Sequence, residues 1–426
     1  MVPRPWDRRV GFFTTEVQIG SPKQITIVEQ AINRWRLRDD DGKLKPIVFH
    51  LDPSTPEIYV PTLKKGVTSW NSAFAAAGFP HAVICLAKGD ADYPDDFSTG
   101  DARFSSIHMT NPARSGLLGY GPSVVDFRSG EILAAQIMLG FDAFSSVPSR
   151  FSDDLLTVSH RRACGARTPL LDADHPDVLL TLHNVVAHEV GHALGLRHNF
   201  IGSEDGNTSL MDYQDDFDVT DPQAPKFGSD YLLEPGRYDK YAIVYGYTAL
   251  DGETRGWRHD KLAFLAAGQD KNDTNLLHIP RNPLFATDES LYDDFDPRVN
   301  TFVSVDGAKR MGREKMDYVA VQRKKLLQLV RNGALEPDVY TMRMLLLLRL
   351  TWSDLQAATK WVGGGTVNAA RDQATPASIA DMTELLGICE SCLHGLAHSL
   401  SAHVVSYICE TLPDDETERC VQRWTS

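Results

Sequence analysis

The feature that most constrains this chain is the pattern HExxHxxGxxH, which begins at His188. In a helix with 3.6 residues per turn, His188 and His192 lie one turn apart on the same face, so both imidazoles can bind one metal ion. Glu189 projects from the same turn outside the coordination sphere and is placed to accept a proton from water. Gly195 allows a backbone turn that ends the helix and returns His198 to the ion as a third ligand.

This pattern predicts a catalytic zinc site. The pentapeptide HExxH alone also occurs by chance on amphipathic helices, where its histidines are solvated or pack against neighbours. The added glycine and third histidine, with Met211 downstream, must each match independently, and they therefore favour the metal site. Three neutral imidazoles leave one tetrahedral position of a single Zn²⁺ ion open to water, whose pKa then falls to roughly 7.

Composition argues against two classes of partner. The chain has 43 Lys and Arg against 57 Asp and Glu, a formal net charge of −14 at pH 7, whereas nucleic-acid binders carry basic patches. The longest apolar run, residues 342–350, is too short and too interrupted by arginine to span a bilayer. We therefore expect no nucleic-acid partner and no membrane span, and the sequence indicates no oligomeric state.

Several segments carry a family resemblance. HEVGHALGLRHNF followed by SLMDY resembles the metzincin metallopeptidases, which are named for a Met-containing turn beneath the zinc. The later GRYDKYAIVYGY (236–247) makes the chain more closely similar to the bacterial Met-zincin family of zinc-dependent metalloproteases. The resemblance extends over nearly the whole chain through RRVGFFTT (8–15), INRWRLRD (32–39), VTSWNSAFAAAGF (67–79), GPSVVDFRSGEILAAQIM (121–138), TDESLYDDFDPR (287–298) and WVGGG (361–365).

The resemblance implies an α+β fold with a metzincin-like (zincin) catalytic domain. A twisted mixed sheet should lie over the active-site helix, and a mainly helical C-terminal region should follow. A chain of 426 residues should form more than one unit. We expect an N-terminal arm at 1–45, an upper subdomain at 46–195, a lower subdomain at 196–250 and the helical region at 251–426.

Apolar periodicity predicts the individual elements. Strands are expected at 46–52, 82–88 and 105–111, with a hairpin across 123–139. Helical spacing is expected between Val60 and Ala77, and at 237–247, 306–333, 337–361 and 376–412. The acidic segment 89–101 has the composition of a solvated loop, although an ion site there is the alternative.

The hairpin at 123–139 is the expected binding site for the substrate. In metzincins the edge strand above the zinc helix lies antiparallel to an extended substrate, which adds to the sheet through main-chain hydrogen bonds. By resemblance, one strand of this hairpin should bind a peptide or protein substrate in that way. The alternative is a plain core hairpin with the sheet edge elsewhere.

The function that follows is zinc-dependent endopeptidase activity, with Glu189 as general base. By resemblance, Met211 packs below the imidazoles without binding zinc. Tyr213, two residues further on, matches a tyrosine of the astacin and serralysin branches that binds zinc and swings towards the reaction intermediate, although Asp212 differs from the residues found there. A buried tyrosine with a satisfied hydroxyl is the alternative for Tyr213. The alternative function is a catalytically altered zincin that acts on another amide or serves as a binding module.

Two further features remain open. The N-terminus has no apolar signal-peptide core, whereas members of the resembled family carry secretion signals and further N-terminal domains, so a periplasmic or secreted location is expected if such a region precedes this chain. Near the C-terminus, Cys389 and Cys392 form a C-x-x-C followed by further histidines and cysteines. These cysteines bind a second metal, form a disulfide or pack as small residues of a helix.

Overall fold

The computed structural model places six strands in one central mixed sheet. It describes residues 1–19, 27–110, 118–140, 173–206, 208–214, 217–218, 221–223, 226–228, 231–248, 285–287, 296, 298–301, 307–333, 335, 340, 357, 359–360, 365–368, 373–376, 383 and 387. Cys389, Cys392 and the histidines after them lie outside these residues, as do most of the helices predicted at 337–361 and 376–412.

The strands in chain order are β1 (Thr14–Ile19), β2 (Ile27–Ile32), β3 (Ile47–Leu51), β4 (Val83–Leu86), β5 (Ser105–Thr110), β6 (Gly119–Tyr120), β7 (Ser123–Asp126), β8 (Glu131–Gly140), β9 (Phe217–Asp218), β10 (Lys226–Phe227), β11 (Gly365–Asn368) and β12 (Gln373–Pro376). The α-helices are α1 (Val60–Thr68), α2 (Asn71–Ala76), α3 (Pro176–Ala193), α4 (Arg237–Tyr247) and α5 (Gly307–Arg331). Short 3-10 helices cover Glu57–Tyr59 and Gly202–Asp205.

The central sheet has the strand order β4-β3-β5-β8-β6. Neighbours among β4, β3, β5 and β8 are parallel, whereas β6 and β7 both pair antiparallel with β8. The apolar run of β3 is buried along almost its whole length, as a strand inside a parallel sheet requires. The strands predicted at 46–52, 82–88 and 105–111 and the hairpin at 123–139 are therefore confirmed.

Helix α3 contacts β6 and β8 of this sheet and packs against α1. Its apolar residues belong to one continuous buried core, which also contains Trp70. The Trp70 indole donates a hydrogen bond of 2.8 Å to the Ala187 carbonyl, so the tryptophan is oriented as well as buried. The combination of a mixed sheet with packed helices confirms the predicted α+β class.

The helical pattern between Val60 and Ala77 forms two short helices, α1 and α2, rather than one continuous helix. The hydroxyl of Ser69 donates to the Gly66 carbonyl at 2.7 Å, and that of Thr68 donates to the Lys64 carbonyl at 2.8 Å. Side-chain hydroxyls that bond carbonyls of the preceding turn compete with the helical ladder and bend it. The apolar spacing continues across the break between α1 and α2 because both helices pack against the same core.

The N-terminal segment contains an antiparallel pair, β1 with β2, that was not predicted from the sequence. This segment also contacts the end of α3, because the Trp35 indole donates to the Ala193 carbonyl at 2.8 Å. In the C-terminal third, α5 confirms the helix predicted at 306–333, and β11 pairs antiparallel with β12. Among the described residues, no helix combines the length and apolar character needed to cross a bilayer.

The close packing of α1 on α3 leads to a stability prediction. A Cβ on Gly66 would lie 2.4 Å from Val186 Cγ1 and 3.1 Å from the His183 carbonyl oxygen. Helix propensity alone would make Gly66→Ala stabilising by about 1 kcal/mol. Because Val186 is stiff in a helix, we expect overpacking to dominate and to lower the free energy of unfolding by about 1–3 kcal/mol. Denaturant unfolding measures this, with Lys65→Ala on the exposed face as control. A more stable Gly66→Ala protein would contradict the packing.

Candidate metal centre

Helix α3 positions the first two histidines, and its two ends are defined locally. At the start, His175 Nδ1 accepts a hydrogen bond of 3.2 Å from the Asp177 amide, and Pro176 occupies the first turn. At the end, Gly195 has φ +96°, the left-handed conformation that favours glycine. The Leu196 amide donates to the Gly191 carbonyl at 3.0 Å and the Gly195 amide to the His192 carbonyl at 2.9 Å. These two bonds form a Schellman motif, which reverses the chain towards the third histidine.

Backbone carbonyls determine which nitrogen of His188 and His192 carries a proton. His188 Nδ1 lies 2.7 Å from the Leu210 carbonyl oxygen, and His192 Nδ1 lies 2.8 Å from the Leu196 carbonyl oxygen. A carbonyl can only accept, so each Nδ1 must donate and each Nε2 presents a lone pair. His188 Nε2 is buried and has no hydrogen-bond partner among the described residues. This arrangement is typical of histidines that bind metal through Nε2.

The structure brings His198 to the same point. Candidate ligand atoms of the three histidines all lie within 4.8 Å of one another, and the Nε2 atoms of His192 and His198 are 3.2 Å apart. Two nitrogens that bind one tetrahedral zinc ion at 2.0–2.1 Å are separated by roughly 3.3 Å. The donor set and the unsatisfied His188 nitrogen therefore fit zinc.

Burial keeps the imidazoles of His188 and His198 neutral. The pKa of His188 is lowered well below its usual value, first by burial and then by the neighbouring His192 and His198. Burial, with contributions from His192 and Arg197, lowers the pKa of His198 to about 3. Neutral imidazole is the protonation state that a metal ligand requires, so these two histidines do not have to lose protons to bind a cation at neutral pH.

Glu189 lies beneath the edge strand of the sheet. A Cβ on Gly119 would lie 2.4 Å from Glu189 Oε1, and a Cβ on Gly121 would lie 2.9 Å from the Glu189 carbonyl oxygen. Only residues without a side chain allow the strand to approach so closely. Glu189 Oε2 is buried and has no hydrogen-bond partner within the residues that the structure describes, and burial raises the pKa of this carboxyl to about 8. A nearby cation would favour the ionised carboxylate and so lower the pKa of Glu189.

Met211 lies under the helix. Its side chain is fully buried, and a Cβ on Gly191 would lie 2.2 Å from Met211 Sδ and 2.8 Å from Trp70 Cζ2. Gly191 lies between the two histidines of α3, and its lack of a side chain leaves room for the Met211 side chain against the helix. The sequence predicted the methionine below the site but did not indicate the glycine that gives it room.

Tyr213 lies beside the histidines. The centroid of its ring is 4.8 Å from that of His198, 5.3 Å from that of His188 and 5.0 Å from that of Phe200. Phe200 is in turn stacked on His198 at 4.7 Å. The predicted catalytic tyrosine is thus in contact with two of the predicted ligands.

Asp239 on α4 supports the turn that contains Met211. Its Oδ2 accepts from the Leu210 amide at 2.6 Å and the Gly236 amide at 2.8 Å, and its Oδ1 accepts from the Ser209 hydroxyl at 2.7 Å. The Leu210 carbonyl is the group that binds His188 Nδ1. Burial raises the pKa of Asp239 to about 6, while these hydrogen bonds oppose the shift.

Sequence reasoning missed four of these supporting residues, namely Gly119, Gly121, Gly191 and Asp239. The short Gly-Tyr-Gly before the predicted hairpin was a local signal of close backbone approach. Asp239, in the first turn of a predicted helix, has the position of an ordinary capping acid in the sequence.

The acidic segment 89–101 is the loop for which an ion site was the alternative. Its acids include Asp90, which pairs with Lys64, and Asp96 and Asp101, which pair with Arg103.

The contacts of Asp239 predict a loss of stability on truncation. Asp239→Ala leaves two buried amides and one hydroxyl without an acceptor, so we expect the free energy of unfolding to fall by about 3 kcal/mol. Asp239→Asn should lose less, because its amide oxygen can still accept from Leu210 and Gly236. Denaturant unfolding with the exposed Asp92→Ala as control measures the difference. Equal stability of Asp239→Ala and the control would show that Asp239 does not support the turn.

Comparison with known proteins agrees with this geometry. Residues 175–384, about half of the chain, match the model of a family described as Met-zincin. No curated protein and no solved structure matches the chain significantly. The match begins at the residue that caps α3 and covers all three histidines, Glu189 and Met211. With its mixed sheet, packed helices and histidine cluster, the chain has the α+β fold of the metzincins, and its residues 175–384 belong to the Met-zincin family.

Proposed function

We propose that this protein is a zinc-dependent endopeptidase, with the ion held by His188, His192 and His198. The observation that carries the proposal is the convergence of three imidazoles, whose ligand atoms lie within 4.8 Å of one another, beside a Glu189 carboxyl oxygen that has no hydrogen-bond partner in the described part of the chain. A purely structural zinc site has no use for a base at that position. The Met-zincin family supports the same chemistry at the level of a zinc peptidase.

Zinc at this site supplies a Lewis acid that polarises a carbonyl and makes water a nucleophile near neutral pH. The residues of the chain do the rest. Glu189 accepts the proton of the attacking water and passes it to the leaving amine, which is general base and then general acid catalysis. The edge strand above Glu189 excludes bulk water from this carboxyl, since Gly119 and Gly121 lie directly against it. A pKa near the working pH suits both transfers.

Tyr213 is proposed to stabilise the oxygen of the scissile carbonyl as negative charge develops on it. The contact of its ring with His188 and His198 supports this role, since a hydroxyl near the ligands can reach a substrate bound there. Met211 is proposed to be structural. Its buried thioether packs below the imidazoles and keeps their rings in place.

The proposed substrate is an extended peptide bound along β6 and β7. These strands pair with β8 on one side only in the described sheet, and β6 is its last strand. An extended chain that adds to this edge forms main-chain hydrogen bonds and crosses directly over Glu189. Binding through the backbone is largely independent of side-chain sequence, so pockets flanking the edge would set the preference.

Metal content and hydrolysis test the proposal together. The purified protein should contain about one zinc per chain, as three protein ligands with an open fourth position imply. Glu189→Gln should retain zinc, because this residue is not a proposed ligand, but should lose cleavage of an unstructured protein substrate by at least about 100-fold. His198→Ala should lose zinc.

Each outcome separates the alternatives. Stoichiometric zinc without hydrolysis that depends on Glu189 would refute the peptidase and favour the altered zincin or binding module. Unchanged zinc content in His198→Ala would remove this residue from the ligand set.

The close approach of β6 to Glu189 predicts a functional effect for Gly119→Ala. The added methyl group, whose carbon would lie 2.4 Å from Glu189 Oε1, would displace the flexible Glu189 side chain without moving backbone. Because a shift of about 1 Å in a catalytic group can cost about 100-fold, we expect a large fall in kcat with zinc content unchanged. The control is Gly387→Ala, where a Cβ meets no atom of the described residues within 4 Å. Full activity of Gly119→Ala would contradict the placement of the strand.

A further inference from the structure

The N-terminal arm, residues 1–45, lies outside the region that matches the Met-zincin family model, yet it pairs with the segment that carries the third histidine. The Arg197 amide donates to the Gly11 carbonyl at 2.9 Å, and the Phe13 amide donates to the Gly195 carbonyl at 2.8 Å. Between them, Phe12 and Leu196 form an antiparallel bridge. Residues 195–197, which follow α3 and immediately precede His198, therefore pair with residues 11–13 of the arm as two short antiparallel segments.

The arm also satisfies the end of α3. The last carbonyls of a helix have no partner within the helix and must find one elsewhere when they are buried. Here the Trp35 indole donates to the Ala193 carbonyl at 2.8 Å, and the Tyr247 hydroxyl of α4 donates to the Leu194 carbonyl at 2.8 Å. The Trp35 amide in turn donates to the Tyr247 hydroxyl at 3.2 Å. Arm and α4 thus close the helix end together.

One arm residue, Phe13, also contacts a predicted ligand directly. Its ring lies 5.8 Å from that of His192, measured between centroids. His192 is oriented by the Leu196 carbonyl, and Leu196 is the residue bridged to the arm. Each of these contacts restricts the ring of His192 or the carbonyl that orients it.

Gly195 is constrained by the arm as well as by its own conformation. A Cβ at this position would lie 2.1 Å from the Asn33 carbonyl oxygen, which no small adjustment can relieve because that atom is backbone. The Asn33 amide donates to the Phe13 carbonyl at 2.8 Å, so the two arm segments support each other around the glycine. The motif glycine therefore serves both the helix end and the contact with the arm.

We propose that the N-terminal arm is a positioning element of the metal centre, in which Phe13 and Trp35 hold His192 and the His198 segment in the geometry that binds zinc. The inference rests on the proposed zinc site and extends it to residues outside the family match. The arm contributes no ligand. It fixes the backbone from Ala193 to Arg197, on which the separation of the second and third ligands depends.

The test compares single substitutions in the full chain by their affinity for zinc. Trp35→Phe removes the indole donor and keeps an aromatic ring, while Phe13→Ala removes the ring that contacts His192. Loss of partners that orient metal ligands typically weakens binding by 10–100-fold, so we expect a dissociation constant about 10-fold higher for each variant. Affinity is measured by competition with a chelator, and the visible absorption of the Co²⁺-loaded protein reports ligand geometry directly.

Matched controls separate positioning from general damage. Trp6→Phe makes the same chemical change in the same arm, at a tryptophan that packs on the core and has no side-chain hydrogen bond within the described residues, and it should bind zinc as wild type does. Phe13→Tyr restores a ring and should recover affinity and the Co²⁺ spectrum. Circular dichroism of the metal-free variants establishes that they are folded.

The outcomes are distinct. Folded Trp35→Phe and Phe13→Ala that bind zinc within about two-fold of wild type, with an unchanged Co²⁺ spectrum, would overturn the inference while leaving the proposed function intact. A wild-type chain that binds no zinc would refute the proposed function itself. If Trp35→Phe does not fold, the variants Phe13→Ala and Phe13→Tyr alone decide whether the arm positions the ligands. Phe13 is only half-buried, so these variants should fold.

Discussion

The cluster of three histidines depends on one event, the termination of α3 immediately after its second histidine. A helix that continued past Ala193 would carry the third histidine along its own axis and away from the other two. The left-handed Gly195 ends it, the Schellman hydrogen bonds reverse the chain, and donors from Trp35, Phe13 and Tyr247 satisfy the carbonyls at its end. These donors are required because the carbonyls at the helix end are buried. A buried carbonyl without a partner costs free energy comparable to a lost hydrogen bond.

A second principle is that polar groups at the site are oriented by backbone rather than by other charges. The carbonyls of Leu210 and Leu196 select the tautomers of His188 and His192. The turn that contributes Leu210 is itself held by Asp239, which takes up two amides and a hydroxyl in a fully buried position. Such outer partners fix ring orientation before any metal arrives, which lowers the ordering cost of binding.

The sequence was informative wherever the relevant contacts are local. Helical spacing sufficed to place His188, Glu189 and His192 on one helix, and the strands β3, β4 and β5 were placed correctly. It was less informative where two distant segments meet. The break between α1 and α2 arises from hydroxyls that compete for carbonyls, and the β1–β2 pair lacked a clear alternating pattern.

By itself, the sequence determined the spacing of the three histidines, the position of Glu189 between the first two, the helix-ending glycine and the methionine downstream, because each follows from helix geometry or a short motif. Only the tertiary structure decided that Gly119 and Gly121 bring a strand onto Glu189, and that Gly191 admits Met211. It also decided that residues of the distant N-terminal arm, such as Phe13 beside His192, contact the ligands. These are contacts between segments far apart in the chain, set by how the sheet, the arm and the helices pack, and no local periodicity encodes them.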